Sequence, residues 1–312
     1  MTLPLTSNAI GFLAAILAIL LIASLVVVIL KQRNPDRDYA ELSARVKSWW
    51  VMAGVFAIAM ALSPTLSILF LGFTSFLALK EYFSLIPTRR ADRRVLFWAY
   101  LAIPIQFYWV AIGWYGMFII FIPVYLFLLL PMRMVIIGQT AGFLHAAGSM
   151  QWGLMLTVFN LSHMSYLLVL PVETNPAGGA AGLVLFLMFL TQFNDVMQYV
   201  WGKMLGRHKI IPKVSPKKTW EGFVGGIVTT TLLAWLLAPL LTPLTGWEAP
   251  VAGLLIGVAG FIGDVNISAL KRDLGVKDSG TLIPGHGGVL DRIDSLTFTA
   301  PLFFHFLYYL HY

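Results

Sequence analysis

At 312 residues, with 59% apolar side chains, 11% charged ones and a mean hydropathy of +0.82, the chain excludes a soluble globular protein. It has no cysteine, which removes disulfides and thiolate metal sites from consideration. The net charge of +7 is informative through its placement, because all 21 Lys and Arg residues gather in a few segments separated by long apolar runs.

The first such run, Ile10 to Leu30, reaches the roughly 20 residues that span a hydrocarbon core. It is too long for a signal peptide and has neither a basic leader nor a small-residue cleavage site, so a retained helix is expected. The basic segments are Lys31 to Lys47, Lys80 to Arg94, Arg133, Lys203 to Lys218, and Lys271 to Arg292. The positive-inside rule assigns all five to the cytoplasm. Residues 48–62 and 66–79 then form a hairpin around Ser63-Pro64-Thr65 whose arms are short for spanning. A second hairpin covers 95–112 and 115–131. The polar-interrupted piece 134–151 is expected to lie along the interface or to be re-entrant. Residues 152–170, 182–201, 222–241, 250–270 and 295–311 complete about ten crossings. The expected fold is all-α and polytopic, with both termini outside and the active site on the cytoplasmic face. No hydrophilic block approaches the size of a separate domain. Residues 1–191 read as N-terminal transmembrane helices and 192–312 as the catalytic region of one integral domain.

Charge beside lipid is expensive unless it is paired, solvated or metal-bound. Gly263 to Ser295 nevertheless holds nine charged residues, five of them aspartates, with a Gly-His-Gly-Gly turn. Asp264 sits near the end of an apolar helix, and Asp291 and Asp294 are three apart, so on a helix they share a face. Carboxylates without a histidine triad or thiolate suit a hard cation, which points to Mg²⁺; ion pairs such as Asp264 with Lys271, or Asp294 with Lys277, are the structural alternative. Lys271 and Arg272 can hold a lipid phosphate or act as topology anchors. His286 can serve as acid or base, or simply shape its glycine turn. A second stretch, Gly202 to Gly226, carries six Lys and Arg residues at positions 203–218 and no acid. It ends in Ser-Pro-Lys-Lys-Thr, where Ser215 is expected to cap a helix with Pro216 at its first position. That arrangement suits polyphosphate binding, or retention at an anionic membrane surface. Asp195, in the apolar run before this loop, can face the same cleft or bond to a neighbouring helix.

The run from Ser268 to Ser295, S-A-L-K-R-D-L-G-V-K-D-S-G-T-L-I-P-G-H-G-G-V-L-D-R-I-D-S, resembles the hallmark of the CDP-diacylglycerol synthases (phosphatidate cytidylyltransferases). Ser215 to Gly226, S-P-K-K-T-W-E-G-F-V-G-G, is similar to that family's second characteristic segment, and Gly263-Asp264 matches its Gly-Asp. The resemblance is strong over about 192–300 and only hydropathic before about residue 180. It implies Mg²⁺-dependent attack by phosphatidic acid on the α-phosphorus of CTP, giving CDP-diacylglycerol and pyrophosphate in the cell's inner (cytoplasmic) membrane. It implies metal binding at Asp264 and Asp291, and nucleotide-phosphate binding at Ser215, Lys217, Lys218 and Thr219. Lys271 and Arg272 become candidates for the lipid head group, with Asp195, Asp294 and His286 further candidates within the site. The partners are CTP and the bilayer lipid, with no nucleic acid. A second, monovalent cation and a homodimer stay open. Asn194-Asp195-Val196-Met197 and Gly202-Lys203 depart from the family pattern and, with the N-terminal extension, point to a divergent branch. The competing functions are a CTP-dependent lipid kinase, which releases CDP, and a carrier of an anionic solute. A carrier is disfavoured because the charge gathers at one face rather than at the midplane.

Overall fold

The computed structural model describes residues 5–36, 38–285 and 287–312. Among them, nine helices are long and apolar enough to cross a membrane; the chain is an all-helical, polytopic membrane protein.

Helix α1 (Ser7–Arg33) starts where the Thr6 hydroxyl accepts from the Ala9 N–H at 3.2 Å, and it ends with Lys31 and Arg33 in its last turn. The cap and the basic final turn each satisfy their end of the helix dipole. It is apolar on every face and only 6% of its most apolar window is buried, as expected for a helix facing lipid. Helices α2 (Ala40–Leu62) and α3 (Pro64–Leu85) meet at Ser63, which caps α3 through Leu66 N with Pro64 at the first position. These arms have 23 and 22 residues, long enough to span without strain. The sequence expectation of short arms is corrected because helix continues through the polar residues at both ends. Helix α4 covers Arg93–Ala111.

The next span, Tyr115–Ile136, joins α5 (Tyr115–Ile120) to α6 (Phe127–Ile136) through a π-helical turn containing Pro123. Proline removes a backbone donor, and the wider turn absorbs the mismatch. Residues 134–151 do not form an interfacial or re-entrant piece. Residues 134–136 finish α6, a loop follows, and α7 (Phe143–Leu154) opens a span that continues through a second π turn and α8 (Asn160–Tyr166) to Val169. Its polar residues are accommodated because 78% of the most apolar window is buried in protein. The Gln151 amide, for example, donates to Ile122 O at 3.1 Å. Arg89 fastens the loop, donating to Gln139 O at 3.0 Å and Ala141 O at 2.7 Å while pairing with Asp92.

The C-terminal half comprises α9 (Gly179–Leu205), α10 (Trp220–Leu241), α11 (Glu248–Asp273), the single turn α12 (Leu290–Ile293) and α13 (Leu296–His311). Helix α9 is the central post, with every residue from Gly179 to Leu187 buried. Two sets of contacts define the ends of the bundle. At one end Asn8 and Asn175 both donate to Leu241 or its neighbour Leu240, and Glu248 pairs with His311. At the other end the N-terminus of α2, the C-termini of α3, α9 and α11, and the N-termini of α10 and α13 converge. Counting α13, the chain runs between the two ends ten times. All five basic segments therefore fall at the second end, which is also where the aspartates lie.

Candidate active site

The basic loop after α9 is folded rather than extended. Ile210 N donates to Lys218 O at 3.2 Å, and Trp220 N to His208 O at 2.9 Å. Glu221 accepts from the Arg207 N–H at 3.0 Å and from His208 Nδ1 at 2.6 Å. The cap of α10 is Thr219, whose hydroxyl accepts from Gly222 N at 3.2 Å, and not Ser215. Ser215 and Pro216 stand in the preceding turn, where Ser215 O accepts from Lys218 N at 3.2 Å. The physical reason is that the 215–218 turn spends these residues on reversing the chain before the helix can begin. With Trp220 N and Gly222 N already bonded, the helix terminus has fewer free donors for a phosphate than the sequence pattern suggests. The cationic groups that the turn presents are the ammonium groups of the half-buried Lys218 and the exposed Lys217.

Lys218 joins the two motifs. Its ammonium lies 2.5 Å from Asp264 Oδ2, donates to Gln198 Oε1 at 3.1 Å and sits 5.1 Å above the Phe261 ring. Ser268 Oγ donates to the other Asp264 oxygen at 3.2 Å. Arg272, exposed at the end of α11, makes a second link by donating from Nε to Val214 O at 3.2 Å. Neither sequence-level ion pair forms. Asp264 takes Lys218 rather than Lys271, and Lys271 takes Asp291, with Nζ to Oδ1 at 2.7 Å.

Asp291 and Asp294 begin and end one helical turn but serve different surroundings. Asp291 is 5% exposed. Its Oδ2 accepts from the backbone N–H of Ser279 at 2.7 Å and of Gly288 at 3.0 Å. Burial pushes the pKa of this carboxyl up, but Lys271 and the two N–H groups outweigh it and hold Asp291 below the usual carboxylate range. Asp294 behaves in the opposite way: burial, then repulsion from Asp264 and Asp195, pushes its carboxyl well above the ordinary value. Asp195 reaches the same place from α9, accepting from Ser295 Oγ at 2.9 and 3.1 Å. Lys218, Asp264, Asp195 and Asp294 are thus brought into one group, while Asp291 and Lys271 form a second beside it. His286 lies outside the described residues.

Asp195, Asp264 and Asp294 crowd three carboxylates together. Such crowding suits a divalent cation held by oxygen, since the ion relieves the mutual repulsion. Among the described residues no three acidic or histidine side chains already surround one point. Mg²⁺ characteristically completes its shell with water and substrate phosphates, so a partial protein donor set fits it.

Two contributors were missed in the sequence. Gln198 lies three residues after Asp195 on α9, a spacing visible in the sequence. Glu81, at the end of α3, accepts from Val289 N at 2.9 Å, Leu290 N at 2.8 Å and Ser279 Oγ at 3.1 Å. Nothing in the sequence marks it, because it follows Lys80 at a membrane boundary and reads as an ordinary surface charge.

The glycines of the turn are explained by these carboxylates. Gly287 has φ +81°, and a Cβ there would lie 2.6 Å from Asp291 Oδ2. A Cβ on Gly288 would lie 2.3 Å from Ser279 Oγ and 2.4 Å from Glu81 Oε2.

A model of the cytidylyltransferase family matches residues 43–310. The chain is 47% identical over 297 residues, 95% of its length and 97% of the relative's, to the uncharacterized protein YnbB of Escherichia coli (strain K12). It is 42% identical over 123 residues to the phosphatidate cytidylyltransferase of Brucella abortus biovar 1 (strain 9-941), covering 39% of this chain and 46% of that one. It is 48% identical over 117 residues to that of Synechocystis sp. (strain PCC 6803), covering 36% and 39%. The match to these two enzymes thus spans less than half of their length. With a family model running through both motifs and across nearly all the helices described above, the chain belongs to the cytidylyltransferase family.

Proposed function

We propose that this protein transfers the cytidylyl group of CTP to phosphatidic acid, forming CDP-diacylglycerol and pyrophosphate at the cytoplasmic leaflet of the inner membrane. The observation that carries the reading is the direct contact of Lys218 with Asp264. A phosphate held by the lysine of one motif lies beside the carboxylate of the other, where a cation would sit. In the reaction an oxygen of the lipid phosphate bonds to the α-phosphorus of CTP, the bond to the β-phosphate oxygen breaks, and pyrophosphate leaves. The attacking oxygen is already anionic, so the demand on the protein is charge neutralisation and alignment rather than a covalent nucleophile or a strong base. His286 therefore has no required proton to move.

Lys218 and Lys217, with the 215–219 turn, receive the triphosphate. Lys271 and Arg272, at the end of α11, receive the phosphate of the lipid. Mg²⁺ would be held by Asp264 with its neighbours Asp294 and Asp195, and by Asp291 of the adjoining pair where it exchanges Lys271 for the cation, and would supply neutralisation of the phosphoryl oxygens. Within Asp291, Oδ2 is committed to two backbone N–H groups and Oδ1 to the Lys271 ammonium, so a cation would reach Asp291 only through Oδ1 and in place of Lys271. Asp195, fixed by Ser295, and Gln198, fixed on Lys218, keep the group in register.

The test is incubation of the purified protein with cytidine-labelled CTP, phosphatidic acid and Mg²⁺. Formation of a CDP-lipid together with pyrophosphate, abolished by a chelator, is the expected result. Release of CDP with a newly phosphorylated lipid would replace this reading by a kinase, and CTP left unconverted would refute it.

A further inference from the structure

The turn from Gly287 to Leu290 presents three consecutive backbone N–H groups, those of Gly288, Val289 and Leu290, to one side. Successive N–H groups of this kind form an anion-binding concavity. Here it is filled from within the chain. Gly288 N is taken by Asp291 Oδ2, Val289 N by Glu81 Oε1 and Leu290 N by Glu81 Oε2. Ser279 binds both carboxylates, its N–H going to Asp291 and its hydroxyl to Glu81.

Glu81 comes from α3, some two hundred residues away in sequence, yet it holds the first residues of the turn that carries Asp291 and Asp294. Among the described residues no Lys, Arg or His stands within ion-pair distance of its carboxylate. Among those residues its charge is met by the directed donors Val289 N–H, Leu290 N–H and Ser279 O–H. A group held in this way resists displacement along several directions at once, because each donor fixes a different line. A second strut comes from α2, where Ser48 Oγ donates to Pro284 O at 2.7 Å. Leu290 and Ile293 are buried next to the clamp, so the turn has little room to move once Glu81 is seated.

We infer that Glu81 is a positioning residue for the cytidylyl transfer: it anchors the 287–290 turn and thereby sets where the Asp291 and Asp294 carboxylates stand relative to Lys271 and Asp264. Every contact of the Glu81 carboxylate described above is to Ser279 or to the turn, so its effect on the reaction passes through the turn. The inference rests on the function proposed above only for its kinetic consequence, since the clamp itself can be observed without any reaction.

The experiment uses the full chain in detergent or in lipid nanodiscs, with the variants Glu81→Gln and Glu81→Asp. Glutamine keeps one acceptor but turns a donor toward a backbone N–H, and aspartate keeps the charge but falls short by one methylene. Displacement of aligned groups by about 1 Å costs up to about a hundredfold in rate. Glu81→Gln is therefore expected to lower kcat between about tenfold and about a hundredfold, with the KM for CTP within about twofold of the wild type. Glu81→Asp should recover part of the loss. Amide hydrogen exchange at Val289 and Leu290 should quicken in Glu81→Gln while exchange within α9 stays unchanged. Wild-type kcat in Glu81→Gln, or a loss of activity that disappears on cooling together with a lowered unfolding midpoint, would overturn the inference. If the wild type forms no CDP-lipid, the proposed reaction fails, and the exchange measurement alone decides the clamp. Unchanged exchange at Val289 and Leu290 would then refute it.

Discussion

The Lys271–Asp291 pair offers a quantitative test of how the site is held together. Both side chains are nearly enclosed, at 13% and 4% exposure, and their charged atoms are 2.7 Å apart. Asp291→Asn preserves shape. The amide oxygen can retain the N–H groups of Ser279 and Gly288 only by turning the NH₂ toward Lys271, which leaves an ammonium facing a donor in a dry place. Removing one partner from a buried pair costs about 3 to 5 kcal/mol. Lys271→Met leaves Asp291 with its two backbone donors and should cost less, about 1 to 3 kcal/mol for the lost charge-assisted bond. In the double variant no orphan charge remains, so the losses should fall short of their sum by at least about 1 kcal/mol. The assay is unfolding of the four proteins in mixed detergent micelles, followed by tryptophan fluorescence. Additivity within about 0.5 kcal/mol would refute the reasoning, because independent sites add to that accuracy.

Other consequences can be checked directly. Lys218→Ala removes the contact between the motifs, and loss of one charge-assisted bond of about 1.5 to 3 kcal/mol corresponds to about a ten- to hundredfold loss in kcat/KM for CTP; steady-state kinetics at varied CTP would show it, and an unchanged value would remove Lys218 from the nucleotide site. Gly288→Ala places a methyl group 2.3 Å from Ser279 Oγ and 2.4 Å from Glu81 Oε2, so product formation should fall at least about tenfold while the protein still inserts, measured on membranes with matched protein amounts. Cysteines at Thr140 and Lys209, both exposed at the site end, should react with an impermeant maleimide from one side of sealed vesicles, and a cysteine at Glu173, exposed at the opposite end, from the other. Labelling of Thr140→Cys and Lys209→Cys from opposite sides would break the ten-pass path.

Both motifs were legible because phosphate and metal chemistry needs lysines, carboxylates and glycines packed closely along the chain, and such density stands out against apolar helices. The crossings were legible because a hydrocarbon core demands long apolar runs and basic residues stop them. The piece at 134–151 misled because its polar residues, such as Gln151, pair inside the protein, and a sequence does not show whether a polar side chain will find a partner or face lipid. The cap of α10 shifted from Ser215 to Thr219 because the preceding turn is closed by hydrogen bonds from Ser215 N to Ile211 O and from Trp220 N to His208 O, outside the local pattern.

The sequence by itself determined a membrane-spanning helical protein with a cytidylyltransferase signature, since both follow from composition and from local order along the chain. Only the tertiary structure decided which charges meet. Lys218 pairs with Asp264, Lys271 pairs with Asp291, and Glu81 seats the turn between them. These partners are 46, 20 and 208 residues apart. Their contact depends on how α3, α9, α10 and α11 pack side by side, and helix packing arises from surfaces that no single stretch of sequence contains.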